Sequence, residues 1–106
     1  MRKIEMSPRF RKDLKCVGKY PNFKKYKLSD YINTVAEGNS LPDNARDHKM
    51  SKHSPQEYQG TRNFHIAPDI CVIYKMDDDA VYLLRIGKHN DLNLTELFKK
   101  KFVKNS

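Results

Sequence analysis

Several broad classes are closed to this chain by what it lacks. It has two cysteines in 106 residues, Cys16 and Cys71, far apart and without metal-ligand spacing, so neither a disulfide framework nor a zinc motif is written in it. Both lie in apolar patterns and read as reduced, buried thiols of a cytoplasmic protein. No run of about 18 apolar residues is present, which argues against a transmembrane helix and a membrane partner. The first ten residues, MRKIEMSPRF, have no apolar segment that would serve as a signal peptide. HxxxH and CxxC pairs, a Walker loop, a GxGxxG loop and a GxSxG elbow are all absent, so no metal and no cofactor is expected. Acidic residues are the scarcer charge: 13 Asp+Glu stand against 21 Lys+Arg, a formal charge of +8. A surplus of that size on a small chain points to a polyanionic partner, either nucleic acid or an acidic protein.

What is present suits one domain, residues 1–106, with apolar residues in periodic blocks. Residues 2–6 alternate as a short strand. Ser7-Pro8 then reads as an N-cap followed by proline at the first helical position, with Phe10, Leu14 and Val17 at helical spacing and Gly18 as the stop. Past Pro21-Asn22 a second helix carries the stripe Phe23, Tyr26, Tyr31, Val35 and ends at Gly38, completing a helical hairpin. Residues 39–61 are polar and read as loop, with a short strand near Lys49–Met50. Three strands follow over 61–67, 70–76 and 80–86, with Asp77-Asp78-Asp79 as a turn. The middle one, ICVIYKM, is apolar on both faces, as a central strand is. Asn93 and Glu96 open a tail helix with Leu94, Leu97, Phe98 and Phe102 on one side and lysines on the other. The expected fold is α+β: an N-terminal helical hairpin packed on a small antiparallel β-sheet, with a C-terminal helix.

The chemistry concentrates in four histidines, His48, His53, His65 and His89, together with Asp69 and Arg85. Histidine titrates near neutrality and is the usual side chain for moving protons. His65 and Asp69 flank the corner between two strands, Arg85 interrupts the apolar face of Val81 and Leu83, and His89 follows the last strand. If the strands are neighbours, these four converge at one side of the sheet. Each also has a plain structural reading: His65 on a polar strand face, Asp69 as a turn residue after Pro68, Arg85 in a salt bridge, His48 and His53 in solvated loop. The combination of basic charge, clustered histidines, an aspartate and an arginine, with no metal motif, suits RNA cleavage. RNA carries its own nucleophile, the 2′-OH. A base removes that proton, a cation stabilises the phosphorane, and an acid protonates the leaving 5′ oxygen, giving a 2′,3′-cyclic phosphate.

Three ordered blocks, LPDNARDHKM (41–50), YQGTRNFHIAPDICVIYKM (58–76) and LLRIGKHNDL (83–92), resemble the YafQ-type branch of the RelE/ParE superfamily of toxins. The resemblance covers about half the chain. It implies a RelE-like fold and a ribosome-dependent mRNA endoribonuclease, the toxin of a type II toxin–antitoxin pair. Its partners would be mRNA in the ribosomal A site and a cognate antitoxin, with operator DNA reached only through the antitoxin. The matched catalytic residues are His48, His65, Asp69, Arg85 and His89. His89 would be the general acid, His48, His65 and Asp69 would share base and orienting roles, and Arg85 would bind the scissile phosphate. Arg62, Lys88, Lys99, Lys100 and Lys101 would hold RNA. The chain departs from the family at Asn93, where an aromatic is usual and Phe98 would have to substitute, and in the longer SKHSPQE stretch. The alternatives are an RNA- or ribosome-binding module of the same fold without nuclease activity, and a metal-dependent or DNA-acting enzyme that a chelator would stop.

Overall fold

The computed structural model describes residues 1–51, 56–89 and 92. The opening strand β1 (Lys3–Met6) leads directly into α1 (Pro8–Val17). The Ser7 Oγ accepts the Phe10 N–H at 3.0 Å and donates to the Leu84 carbonyl at 2.9 Å, so one hydroxyl starts the helix and ties it to the sheet. Only Phe10 and Val17 of this helix are fully buried. Cys16 falls on the solvent side, and the expectation that both thiols are buried holds for Cys71 alone.

The second helix, α2 (Lys25–Ala36), buries Leu28, Tyr31, Ile32, Val35 and Ala36, a spacing of three and four residues that follows the helical repeat. Tyr26 is 71% exposed and leaves the expected stripe, while Phe23 precedes the helix and packs against the core from outside it. Gly38, at φ +82°, closes the helix in the left-handed conformation and donates to the Val35 carbonyl.

A 3-10 turn over Asp43–Ala45 precedes the two-residue strand β2 (His48–Lys49), one residue earlier than the sequence suggests. A second 3-10 turn, Gln56–Tyr58, leads to β3 (Arg62–Ala67), β4 (Ile70–Met76) and β5 (Ala80–Gly87). The Asp77 carboxylate accepts the Asp79 and Ala80 amides at 2.8 Å each and shapes the turn into β5.

The sheet has five strands in the order β1-β5-β4-β3-β2. Three pairings are antiparallel, but β1 runs parallel to β5, so the sheet is mixed and the fully antiparallel expectation is corrected. The cause is the long route from β1 through both helices and three strands before β5 arrives beside it. Such a crossover permits parallel pairing, which a hairpin cannot form. The expected C-terminal helix lies outside the described residues.

Both helices bury their apolar sides on one face of this sheet, against Phe64, Ile66, Val72, Tyr74, Val81, Leu83 and Ile86. The opposite face carries a smaller cluster of Tyr58, Cys71, Ile73 and Leu92. The central strand β4 feeds both clusters, which explains its unbroken apolar run.

Candidate active site

Two register shifts set the face opposite the helices. Between β3 and β4 the alternation breaks after His65, which stands across from Cys71. Between β4 and β5 it breaks at Tyr74, so that Tyr74 faces Leu83 but Ile73 faces Arg85. Strict alternation places Arg85 with Val81 and Leu83. The bulge puts it instead across from Ile73, on the face of the smaller cluster, while Ile86 takes the helix side.

That face brings together three of the four histidines. His65 is 7% exposed, and its Nε2 lies 3.4 Å from Nε2 of His89, with the rings edge to face. His89 is exposed just past β5. The two histidines meet although β4 separates their strands, because Cys71 and Gly87 between them carry small side chains or none. His48 on β2 stands opposite Asn63, two residues before His65, and so shares its face. The Nδ1 of His48 is in hydrogen-bond contact with the Arg46 carbonyl at 2.5 Å. A carbonyl can only accept, so Nδ1 carries the proton and Nε2 of the neutral ring is left bare. His53 lies outside the described residues, as do Asn93, Phe98, Lys99, Lys100 and Lys101.

Burial pushes the His65 imidazole down to about 4, helped by the positive charge of Arg46 and by the neighbouring His89 and His48. The ring is therefore neutral at physiological pH. Its Nδ1 is buried without a hydrogen bond, as is Oδ1 of Asn63 on the same face.

The remaining expected residues are engaged elsewhere. Asp69 accepts from the Asn22 amide at the connection between the helices and lies 3.7 Å from the Lys88 ammonium. Lys88 also sits 4.1 Å above the Tyr20 ring. Arg85 is clamped by α1: its Nε is 2.7 Å from Asp13 Oδ2, its Nη2 3.2 Å from Asp13 Oδ1, and its Nη1 3.3 Å from the Tyr58 hydroxyl. The Asp13 carboxylate raises the guanidinium pKa further and also takes the Ile86 N–H, beyond the point where β1 stops covering β5. Arg62 donates to Asp47 Oδ1 and to the Tyr74 hydroxyl, both at 3.3 Å, while that hydroxyl donates to Asp47 at 2.8 Å. Asp47 thereby pins the backbone next to His48 to the sheet. Asp13, Asp47, Tyr58 and Tyr74 carry no motif, and sequence reasoning missed them. The dipeptide Asp47-His48 was the one available hint.

Among the described residues one group can hold a metal ion: ligand atoms of His65, Cys71 and His89 lie within 4.8 Å of one another. Imidazole and thiolate suit zinc or copper. Cys71 is a poor thiolate as it stands, because burial pushes its thiol up to about 11. The sequence conceals this group, since only the strand register sets Cys71 across from His65.

A family model for YafQ, a bacterial toxin of type II toxin–antitoxin systems, matches residues 2–94. The chain belongs to the YafQ family. The mRNA interferase toxin YafQ of Escherichia coli (strain B / BL21-DE3) is 34% identical over 91 residues, covering 83% of this chain and 91% of that protein. Among solved structures, a copper-bound mutant toxin from Helicobacter pylori superposes with a TM-score of 0.76 at 28% identity, covering 87% of this chain and 99% of the other. YafQ in the E. coli DinJ–YafQ toxin–antitoxin complex superposes with a TM-score of 0.71 at 30% identity, over 86% and 96%. The YafQ-type resemblance and the α+β fold are both borne out. Among the described residues no helix is long and apolar enough to cross a membrane.

Proposed function

We propose that this YafQ-family chain is an mRNA interferase, a ribosome-dependent endoribonuclease that cuts through the RNA 2′-OH without a metal and is neutralised by a cognate antitoxin in the cytoplasm. The observation that carries the reading is the contact of His65 with His89, with His48 on the same sheet face, opposite α1 and α2. The exposed imidazole of His48, bare at Nε2, takes the proton from the 2′-OH. His89 protonates the leaving 5′ oxygen. His65 touches His89 too closely to face it across a phosphate, so it acts behind His89 as a neutral ring that sets its orientation. Asp69 orients Lys88 at the rim, and Arg85, held by Asp13 and Tyr58, contributes positive potential from beneath the site. Arg62 and Lys88, with the three tail lysines, hold the RNA. The antitoxin reading draws on the DinJ–YafQ complex, and the +8 charge suits an acidic partner segment.

The test is induction in a bacterial host with primer extension on an abundant transcript, alongside His89→Ala. Codon-phased cuts made only by the wild type are the expected result. Growth arrest with intact transcripts would replace the nuclease with a ribosome-binding inhibitor of the same fold.

A further inference from the structure

The cations that sequence reasoning assigns to RNA are largely spoken for. Arg85 and Arg62 are bonded to carboxylates and tyrosine hydroxyls, and Lys88 is drawn to Asp69 and the Tyr20 ring. Arg46 differs. It is exposed, and among the described residues its guanidinium has no hydrogen bond or ion pair. It is also the non-glycine residue that adopts a positive φ, +51°, among those described. A non-glycine residue held left-handed is strained, and such positions cluster at functional sites. Here the turn has two effects. It aims the Arg46 carbonyl at Nδ1 of His48, and it sends the side chain to the wall of a cleft of about 480 Å³.

His65 lines the same cleft, together with Lys27, Asp43, Asn44 and Pro68. Lys27 reaches it from α2, its ammonium 5.6 Å from the Tyr31 ring. Two cations against one carboxylate leave the cleft positive, and its volume is in the range that holds a small ligand. Asn44 and Asp43 offer donors and acceptors to a base edge, and the turn at Pro68 offers an apolar surface.

We propose that Arg46, with Lys27, binds a backbone phosphate of the RNA strand, and that the cleft seats the nucleotide adjoining the cut. The inference rests on the ribonuclease reading and supplies the direct phosphate contact that the clamped Arg85 does not. Arg46 shares the cleft lining with His65, and its charge acts on that ring.

The experiment measures binding of an RNA oligonucleotide, made uncleavable by a 2′-deoxy sugar at the cut position, across a salt series, with cleavage on programmed ribosomes as a parallel readout. Arg46→Gln keeps the backbone carbonyl and bears the same left-handed cost, so His48 stays placed. It should weaken binding about tenfold and flatten the salt slope by about 0.7, the release expected for one lost phosphate contact on a single strand. Arg46→Lys should restore part of both, and Lys3→Ala on β1 should match the wild type. Arg46→Gln with wild-type affinity and slope overturns the proposal, as does a wild-type protein that fails to bind the oligonucleotide at low salt. If the wild type binds, Arg46→Gln weakens it as described, and nothing is cut even on ribosomes, the cleft stands and the nuclease reading falls.

Discussion

The two faces of this sheet are built from alternate residues of the same strands, yet they are solved differently. Toward the helices, Phe64, Val72, Tyr74 and Leu83 are all at most 1% exposed and close a continuous apolar core. On the other face, Asn63, His65 and Arg85 are also nearly buried, but they are polar, and two of their neighbourhoods leave an atom without a partner. Buried polar groups are ordinarily hydrogen-bonded, and burying them costs stability that apolar side chains at the same positions would not. One residue along β3 therefore separates an apolar core side chain from a nearly buried polar one, and on the proposed function the first serves stability and the second chemistry. The comparison can be broken if substitutions on the two faces fail to divide into those two effects.

The largest expected effect is on activity alone. His48 is exposed and holds no part of the core, so His48→Ala should leave the melting temperature near that of the wild type while single-turnover cleavage falls by roughly 10²–10⁴-fold, the range for loss of a general base. On the helix side, Phe64→Ala should do the reverse. It removes a ring packed edge-on to Tyr31 at 6.0 Å and tilted on Tyr74 at 5.4 Å, and urea unfolding should show a loss of about 3–5 kcal/mol. Cleavage by the fraction still folded should stay close to the wild-type rate. If both variants lose stability and rate together, the faces are coupled and the division is wrong.

How much of this division the sequence displays follows from its physics. The helix-side core was legible because apolar periodicity is a local property: Phe64, Ile66, Val72 and Val81 alternate, and Ser7-Pro8 announces α1 within four residues. The failures are non-local. Tyr26 looks apolar in a helical register, but tertiary packing turns the helix so that Leu28 and Ile32 bury instead. The parallel β1–β5 pairing leaves no mark in either segment. The bulge that moves Arg85 to the other face depends on pairing with β4, and its clamp Asp13 lies 72 residues away. His65 and His89 were legible as candidates, but their contact and the crossing Cys71 are products of register. Arg46 was invisible because a left-handed turn at an arginine carries no compositional signal.

The clamp itself gives a third, smaller effect. Asp13→Asn removes the charge partner of a guanidinium whose side chain is 10% exposed and weakens the acceptor of the Ile86 amide. Losing one member of a fully buried pair costs about 3–5 kcal/mol; partial access of water here lowers the expectation to about 2–3 kcal/mol in urea unfolding. Cleavage by the folded fraction should change little, because the phosphate contact belongs to Arg46. A rate falling a hundredfold in fully folded Asp13→Asn would return that contact to Arg85 and make the clamp part of the chemistry.

The smallest effect probes how dry the open face is. His65 is pushed down to about 4 from an unfolded value near 6.5, so between those values the unfolded chain binds the extra proton. Stability is therefore full above pH 6.5, falls as pH drops toward 4, and falls no further from this group below that. By pH 5 the loss is on the order of 2 kcal/mol. Burial is the main cause; Arg46 ahead of β2, His89 after β5 and His48 on β2 push the same way, and the Ala45 backbone works against them without reversing the direction. His65→Gln cannot take up the proton. The difference in unfolding free energy between wild type and His65→Gln, measured in urea at pH 7 and pH 5, should move by that amount against the wild type as the solution is acidified. An unchanged difference would mean that water reaches the ring in the folded state. Then the open face would be an ordinary wet surface, and its contrast with the helix side would be one of composition only.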